Sequence, residues 1–196
     1  MRPGEPARST LSRWLQTCRG CGAVAEDLAT LPAAARAVVE SAEYRDAENG
    51  VSPQTLPFRR WALILNGDSV RRAEALLQAA WAADDAGAAA EAAALRLRVA
   101  DLWGDGADGE RGLRRLDVLR RAGALAAAGA WAATLLGRGP DELGRSIVAY
   151  QQRLIRAGDT GRHLISSALP PPAHKPHVSH GRRETRGLFS RLFGRG

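Results

Sequence analysis

The chain has 196 residues, with 28 basic and 21 acidic side chains and a formal charge of +7. Apolar residues make up 45%, aromatics only 5%, and there are two cysteines, which excludes collagen, a disulfide-built scaffold and an integral membrane protein. The longest apolar stretches, such as 122–136, are too short to span a bilayer and are broken by Gly123 and Gly129.

Residues 1–13 read as a flexible leader, because Pro3, Gly4 and Pro6 break regular structure and little there can be buried. The leader lacks the apolar run of a secretory signal, so the expected location is cytoplasmic. Residues 14–24 form a short segment around Cys18-Arg19-Gly20-Cys21-Gly22. Two thiolates at C-x-x-C spacing can grip one side of a tetrahedral zinc ion, with the glycines freeing the turn. A structural zinc site wants four ligands, however, and the chain has no second cysteine pair. The spacing also suits a redox dithiol, without the usual strand–helix context, or a plain structural turn. Cys18 and Cys21 are the candidate metal ligands, with all three readings open.

Residues 25–168 read as a helical domain, since no segment alternates with period two over strand length. A first helix is expected over 27–46, with Pro32 in its first turn and Leu28, Leu31, Ala35, Val38, Val39, Ala42 and Tyr44 as apolar content. A second starts near Pro57 and carries Phe58, Trp61, Leu63 and Leu65. Asp68 or Ser69 caps a third, whose stripe is Val70, Ala73, Leu77 and Trp81. Past Gly87, a fourth places Ala92, Leu95, Val99 and Leu102 in line, with Trp103 at its end. The loop Gly104-Asp105-Gly106-Ala107-Asp108-Gly109 resembles a calcium loop only in composition and reads as a turn. Leu113, Leu116 and Leu119 define a fifth helix, Trp131 and Leu135 a sixth, with an open boundary between Gly123 and Gly129. A seventh begins at Pro140-Asp141-Glu142, with proline at N1 and a stripe of Leu143, Ile147, Tyr150 and Leu154.

Six or seven helices with short connections imply antiparallel neighbours. The expected fold is all-α, an antiparallel helical bundle or short tetratricopeptide-like α-solenoid with disordered termini. Four of the five tryptophans lie at helical positions or helix ends and are expected to anchor the packing. His163, near the end of the last helix, reads as a helix-terminal cation or cap, with a catalytic base as the alternative.

Residues 169–196 are expected to be a disordered basic tail with a short amphipathic end. From residue 171 onward the tail carries +5 and residues 1–20 carry +3, leaving the body at −1. A basic groove for nucleic acid is therefore not expected on the folded part. His174, His177 and His180 stand three apart around Pro176, a spacing that suits metal but a segment poorly organised for it. On a helix, Leu188, Phe189, Leu192 and Phe193 share one side beside arginines, which suits an anionic membrane surface or a partner's groove.

Four short motifs carry a resemblance: Thr17-Cys18-Arg19-Gly20-Cys21-Gly22-Ala23, Ala79-Ala80-Trp81-Ala82-Ala83-Asp84, Leu119-Arg120-Arg121-Ala122-Gly123 and Gln151-Gln152-Arg153-Leu154-Ile155. In this order they resemble an uncharacterised bacterial domain-of-unknown-function family, over about residues 15–160. In that family a zinc-ribbon-like cysteine segment precedes tetratricopeptide-like helices. Its members commonly carry an earlier cysteine pair that this chain lacks, so the resemblance implies a halved ribbon and no catalytic residues. The combined expectation is a non-enzymatic helical module for a protein or peptide partner. A small zinc-binding or redox protein using Cys18 and Cys21, and a tail-mediated binder of anionic membranes or acidic partners, are the alternatives.

Overall fold

The computed structural model describes residues 10–169, which are mostly helical. Eight α-helices lie among them: α1 Ala35–Val39, α2 Ala42–Asp46, α3 Leu56–Ile64, α4 Ser69–Asp85, α5 Ala89–Trp103, α6 Gly109–Arg121, α7 Leu125–Gly137 and α8 Glu142–Arg156. Each of α3 to α8 packs against its neighbours in the chain, and α6 also touches α8. No described helix is long and apolar enough to cross a membrane. The all-α expectation holds.

The N-terminal part departs from it in detail. Leu11, assigned to the flexible leader, is only 5% exposed and sits in a 3-10 turn, Leu11–Arg13. The cysteine segment is a hairpin: β1 (Gln16–Thr17) pairs antiparallel with β2 (Val24–Ala25), Gln16 opposite Ala25. Strands of two residues are too short to show alternation, which is why none was expected. The single helix expected over 27–46 is three pieces. Asp27 caps a 3-10 turn, Leu28–Thr30, and Pro32 lies in the link beyond it, outside any first turn. Ser41 then separates α1 from α2: its hydroxyl donates to the Val38 carbonyl (2.6 Å) and accepts from the Tyr44 N–H (3.2 Å). One side chain thus closes one helix and opens the next.

From α3 onward the boundaries follow local chemistry. Asp68 caps α4 by accepting from the Arg71 N–H, and Asp141 caps α8 by accepting from Gly144. Pro140 therefore precedes the cap instead of occupying N1. Gly123, at φ +78°, ends α6 in the left-handed conformation that a side chain disfavours, and Ala124 N–H reaches back to Leu119 O. That settles the boundary left open before the sixth helix.

The core is built from alanine faces and a few large rings. Ala73, Ala79, Ala80 and Ala83 of α4 and Ala92 of α5 are fully buried, which lets these helices approach closely. Trp61, Trp81, Trp103 and Trp131 are all at least 94% buried and fill the space between helices. Two expected stripes are corrected. Val70 and Leu143 are exposed, and the inward face of α8 is Gly144, Val148, Gln151 and Leu154. Gln151 points inward because a buried arginine needs it, so a count of apolar residues alone sets the phase one position off.

Candidate functional site

The two cysteines come together at the tip of the β1–β2 hairpin. Cys18 N–H donates to Ala23 O (2.8 Å) and Gly22 N–H to Cys18 O (2.9 Å), closing the turn. Gly22 adopts φ +75°, open to glycine at no steric cost. Backbone N–H groups of Cys21 and then Gly20, followed by the Cys21 thiol, bond to the Cys18 sulfur and hold its pKa below the ordinary thiol value. Cys18 is half-buried and Cys21 exposed, and both are free thiols. The Tyr44 hydroxyl of α2 donates to Gly22 O (2.9 Å), fixing the hairpin to the helices; burial raises the phenol's pKa. By spacing alone the pair would supply two of the four donors of a tetrahedral thiolate site. Among the described residues, no group of three or more His, Cys, Asp or Glu donors could hold a metal. A complete ribbon therefore does not fit within the described part of one chain.

His163 lies beyond α8, where Asp159 Oδ2 (2.9 Å) and the Tyr150 hydroxyl (3.0 Å) engage its two ring nitrogens. Its ring meets Tyr150 edge-on, with centroids 5.7 Å apart. This clamps the turn after α8 onto the helix. The same turn is held from inside by Arg120, which is fully buried. Its guanidinium donates to Gln151 Oε1 (2.6 Å), Asp159 O (2.6 Å), Gly161 O (2.9 Å) and Asp117 Oδ1 (2.9 Å). A second junction joins α4, α5 and α6: Asp84 Oδ2 accepts from Arg96 (2.6 Å) and Arg121 (2.8 Å). Burial pushes the Asp84 carboxyl up, but bonding and charge from Arg96 and then Arg121 outweigh it, so its pKa lies below the usual range.

The 104–109 loop is also held by arginine. Arg138 donates to Ala107 O and Asp105 O, each at 2.6 Å, and Arg115 pairs with Asp105 at 3.1 Å. The Arg138 and Arg115 guanidiniums also lie 4.9 and 4.2 Å from the Trp131 ring centroid.

An open groove of about 330 Å³ runs beside α2 and across α3, α4 and α5. Ala47, Ala62, Leu63 and Leu76 supply apolar lining; Arg59, Arg72 and Arg98 come from the three long helices, and Glu43 and Asp46 from α2. Burial lowers the pKa of Arg59, Glu91 opposes this and Arg98 adds to it. The Arg72 Nε is buried without a hydrogen-bond partner among the described residues. The sequence alone singles out none of Arg59, Arg72 and Arg98. A groove formed by three helices leaves no local spacing to read. Arg96 and Arg120 did leave a trace, since each occupies a position in register with apolar neighbours: Ala92, Arg96, Val99 and Leu113, Leu116, Arg120.

His174, His177, His180 and the Leu188, Phe189, Leu192 and Phe193 face lie outside the described residues. No protein-family model matches the chain, and comparison with curated proteins and with solved structures likewise gives no match.

Proposed function

We propose that the protein is a non-enzymatic helical interaction module, tetratricopeptide-like in its run of antiparallel helices, that seats an acidic segment of a partner protein. The observation that carries this reading is the convergence of Arg59, Arg72 and Arg98, from three successive helices, on one open groove. A partly desolvated guanidinium gains most from a carboxylate that replaces its lost water, and its planar fork binds that group through two bonds. Glu43 and Asp46 on the α2 side disfavour a carboxylate there and so orient the bound segment. A cytoplasmic setting, which keeps thiols reduced, agrees with the free cysteines.

The test is fluorescence anisotropy of a glutamate-rich peptide with the full chain, with Arg59→Glu/Arg98→Glu, and with a chain lacking 171–196. Binding is expected to weaken with salt, to fall at least tenfold in the charge-reversed protein, and to survive loss of the tail. Equal binding by the charge-reversed protein overturns the groove. Loss of binding with the tail alone moves the acidic partner to the basic C-terminus.

A further inference from the structure

The groove beside α2 holds charges of both signs that do not pair with one another. Arg59, Arg72 and Arg98 line it from α3, α4 and α5, and Glu43 and Asp46 line it from α2. Among the described residues, no ion pair engages any of these five. Their sequence neighbours behave differently: Arg60 pairs with Glu48 at 3.4 Å and Arg71 with Glu26 at 3.5 Å. Helices α3 and α4 thus each carry two adjacent arginines, one neutralised by the fold and one in the groove without a counter-ion. The Arg72 Nη1 donates to Asn66 Oδ1, while its buried Nε has no hydrogen-bond partner among the described residues. Nor is the lining a uniformly positive field. Glu43 and Asp46 are both exposed, and the charge of Glu91 acts on Arg59.

We propose, resting on the groove reading above, that the partner segment it selects is of mixed charge: carboxylates opposite Arg59, Arg72 and Arg98, and a basic side chain opposite Glu43 and Asp46. Charge complementarity of both signs carries this choice of occupant. An all-acidic segment that fills the groove sets a carboxylate against two like charges and leaves Glu43 and Asp46 without counter-ions. Replacing that carboxylate by an ammonium or guanidinium turns the repulsion into attraction. An apolar residue beside the charges rests on Leu63 and Leu76 and keeps water from the pairs, which strengthens them. The arginines are then the source of attraction, and the two unpaired carboxylates are the specificity element. The chain's formal charge of +7 works against this preference, because long-range attraction favours the all-acidic segment. A preference for the mixed segment is for that reason a property of the groove and not of net charge.

The experiment measures fluorescence anisotropy with the full chain, at physiological salt, and three labelled peptides of equal length. One carries glutamates around a central leucine; the other two replace the glutamate at its first or at its last position by lysine. The mixed peptide whose polarity matches the groove is expected to bind at least about fivefold more tightly than the all-acidic one, the scale of one exposed ion pair. Glu43→Gln/Asp46→Asn should abolish that preference and Glu43→Lys/Asp46→Lys should invert it, with helical circular dichroism unchanged in both. Arg59→Glu/Arg98→Glu should weaken all three peptides. Equal or tighter binding of the all-acidic peptide, still lost with Arg59→Glu/Arg98→Glu, overturns the mixed-charge partner and leaves the groove reading standing. A preference that survives Glu43→Gln/Asp46→Asn overturns it too, because the basic residue then sits elsewhere. Binding that is absent, or indifferent to Arg59→Glu/Arg98→Glu, overturns both.

Discussion

Replacing Arg120 with methionine removes a buried cation that ties α6 to α8 and to the turn at 159–161. The side chain makes four hydrogen bonds of 2.6–2.9 Å. At about 1.5–3 kcal/mol for each bond to a charged group, the gross interaction is roughly 6–12 kcal/mol. Removing the guanidinium also recovers several kcal/mol, roughly, of its desolvation cost. What remains depends on the partners left behind. Asp117 has a side chain 40% exposed and can rehydrate, as can the carbonyls of the exposed turn. Gln151 is only 7% exposed and loses the partner of its Oε1. A net loss of about 3 kcal/mol follows, at the lower end of what breaking a buried charged network costs. For a domain of this size that lowers Tm by roughly 6–12 °C. Thermal denaturation followed by circular dichroism measures it. Arg120→Met/Gln151→Leu should recover at least half of the loss, because an apolar pair leaves neither group unpaired. A single-variant shift under about 2 °C, or a double variant less stable than the single, would refute the reasoning.

Two glycines in helices should respond to alanine with opposite signs. At Gly112 of α6, a Cβ would stand 2.8 Å from Leu135 Cδ2 and 3.2 Å from Ala107 O, so overpacking of about 1–3 kcal/mol exceeds the gain of up to ~1 kcal/mol in helix propensity. At Gly129 of α7 nothing lies within 4 Å, and the same change should stabilise by about 0.5–1 kcal/mol, both read from urea midpoints. Acid should also weaken the fold. The Asp159 carboxyl is held below its usual pKa by the Gly161 N–H, against burial, with His163 and Arg120 adding to the effect, and Asp84 is held low by Arg96 and Arg121. Depressed carboxylate pKa values contribute stability that is complete above about pH 4 and lost as the pH falls through the folded-state values. Urea denaturation at pH 7 and pH 3 should show that loss, and Asp84→Asn should reduce the difference between the two.

How legible the fold was depended on the length over which each signal repeats. Helices α4 and α5 bury their expected stripes over four turns, apart from exposed Val70 and half-buried Leu102, because so many positions vote for one phase. The stretch over 27–46 is not one helix because the chain turns extended at Leu31 before Pro32, and because Ser41, by bonding on both sides, outweighs the apolar spacing between α1 and α2. In α8 a buried glutamine rotated the true face by one position, since polarity was counted as exposure. The C-x-x-C pair was plain from spacing, and its hairpin was not, because pairing two residues on each side leaves no pattern. The groove arginines sit on three separate helices, and only packing brings them together.

The seam between α4 and α5 has a thermal consequence. Alanine has no χ angle, so burying it freezes no rotamer and costs the chain only its backbone freedom. It also brings little apolar area, so the rings of Trp61, Trp81, Trp103 and Trp131 carry much of the hydrophobic driving force. The α4–α5 seam is thus ordered at little cost in side-chain entropy, and the groove arginines Arg72 and Arg98 stand on the two helices that it joins.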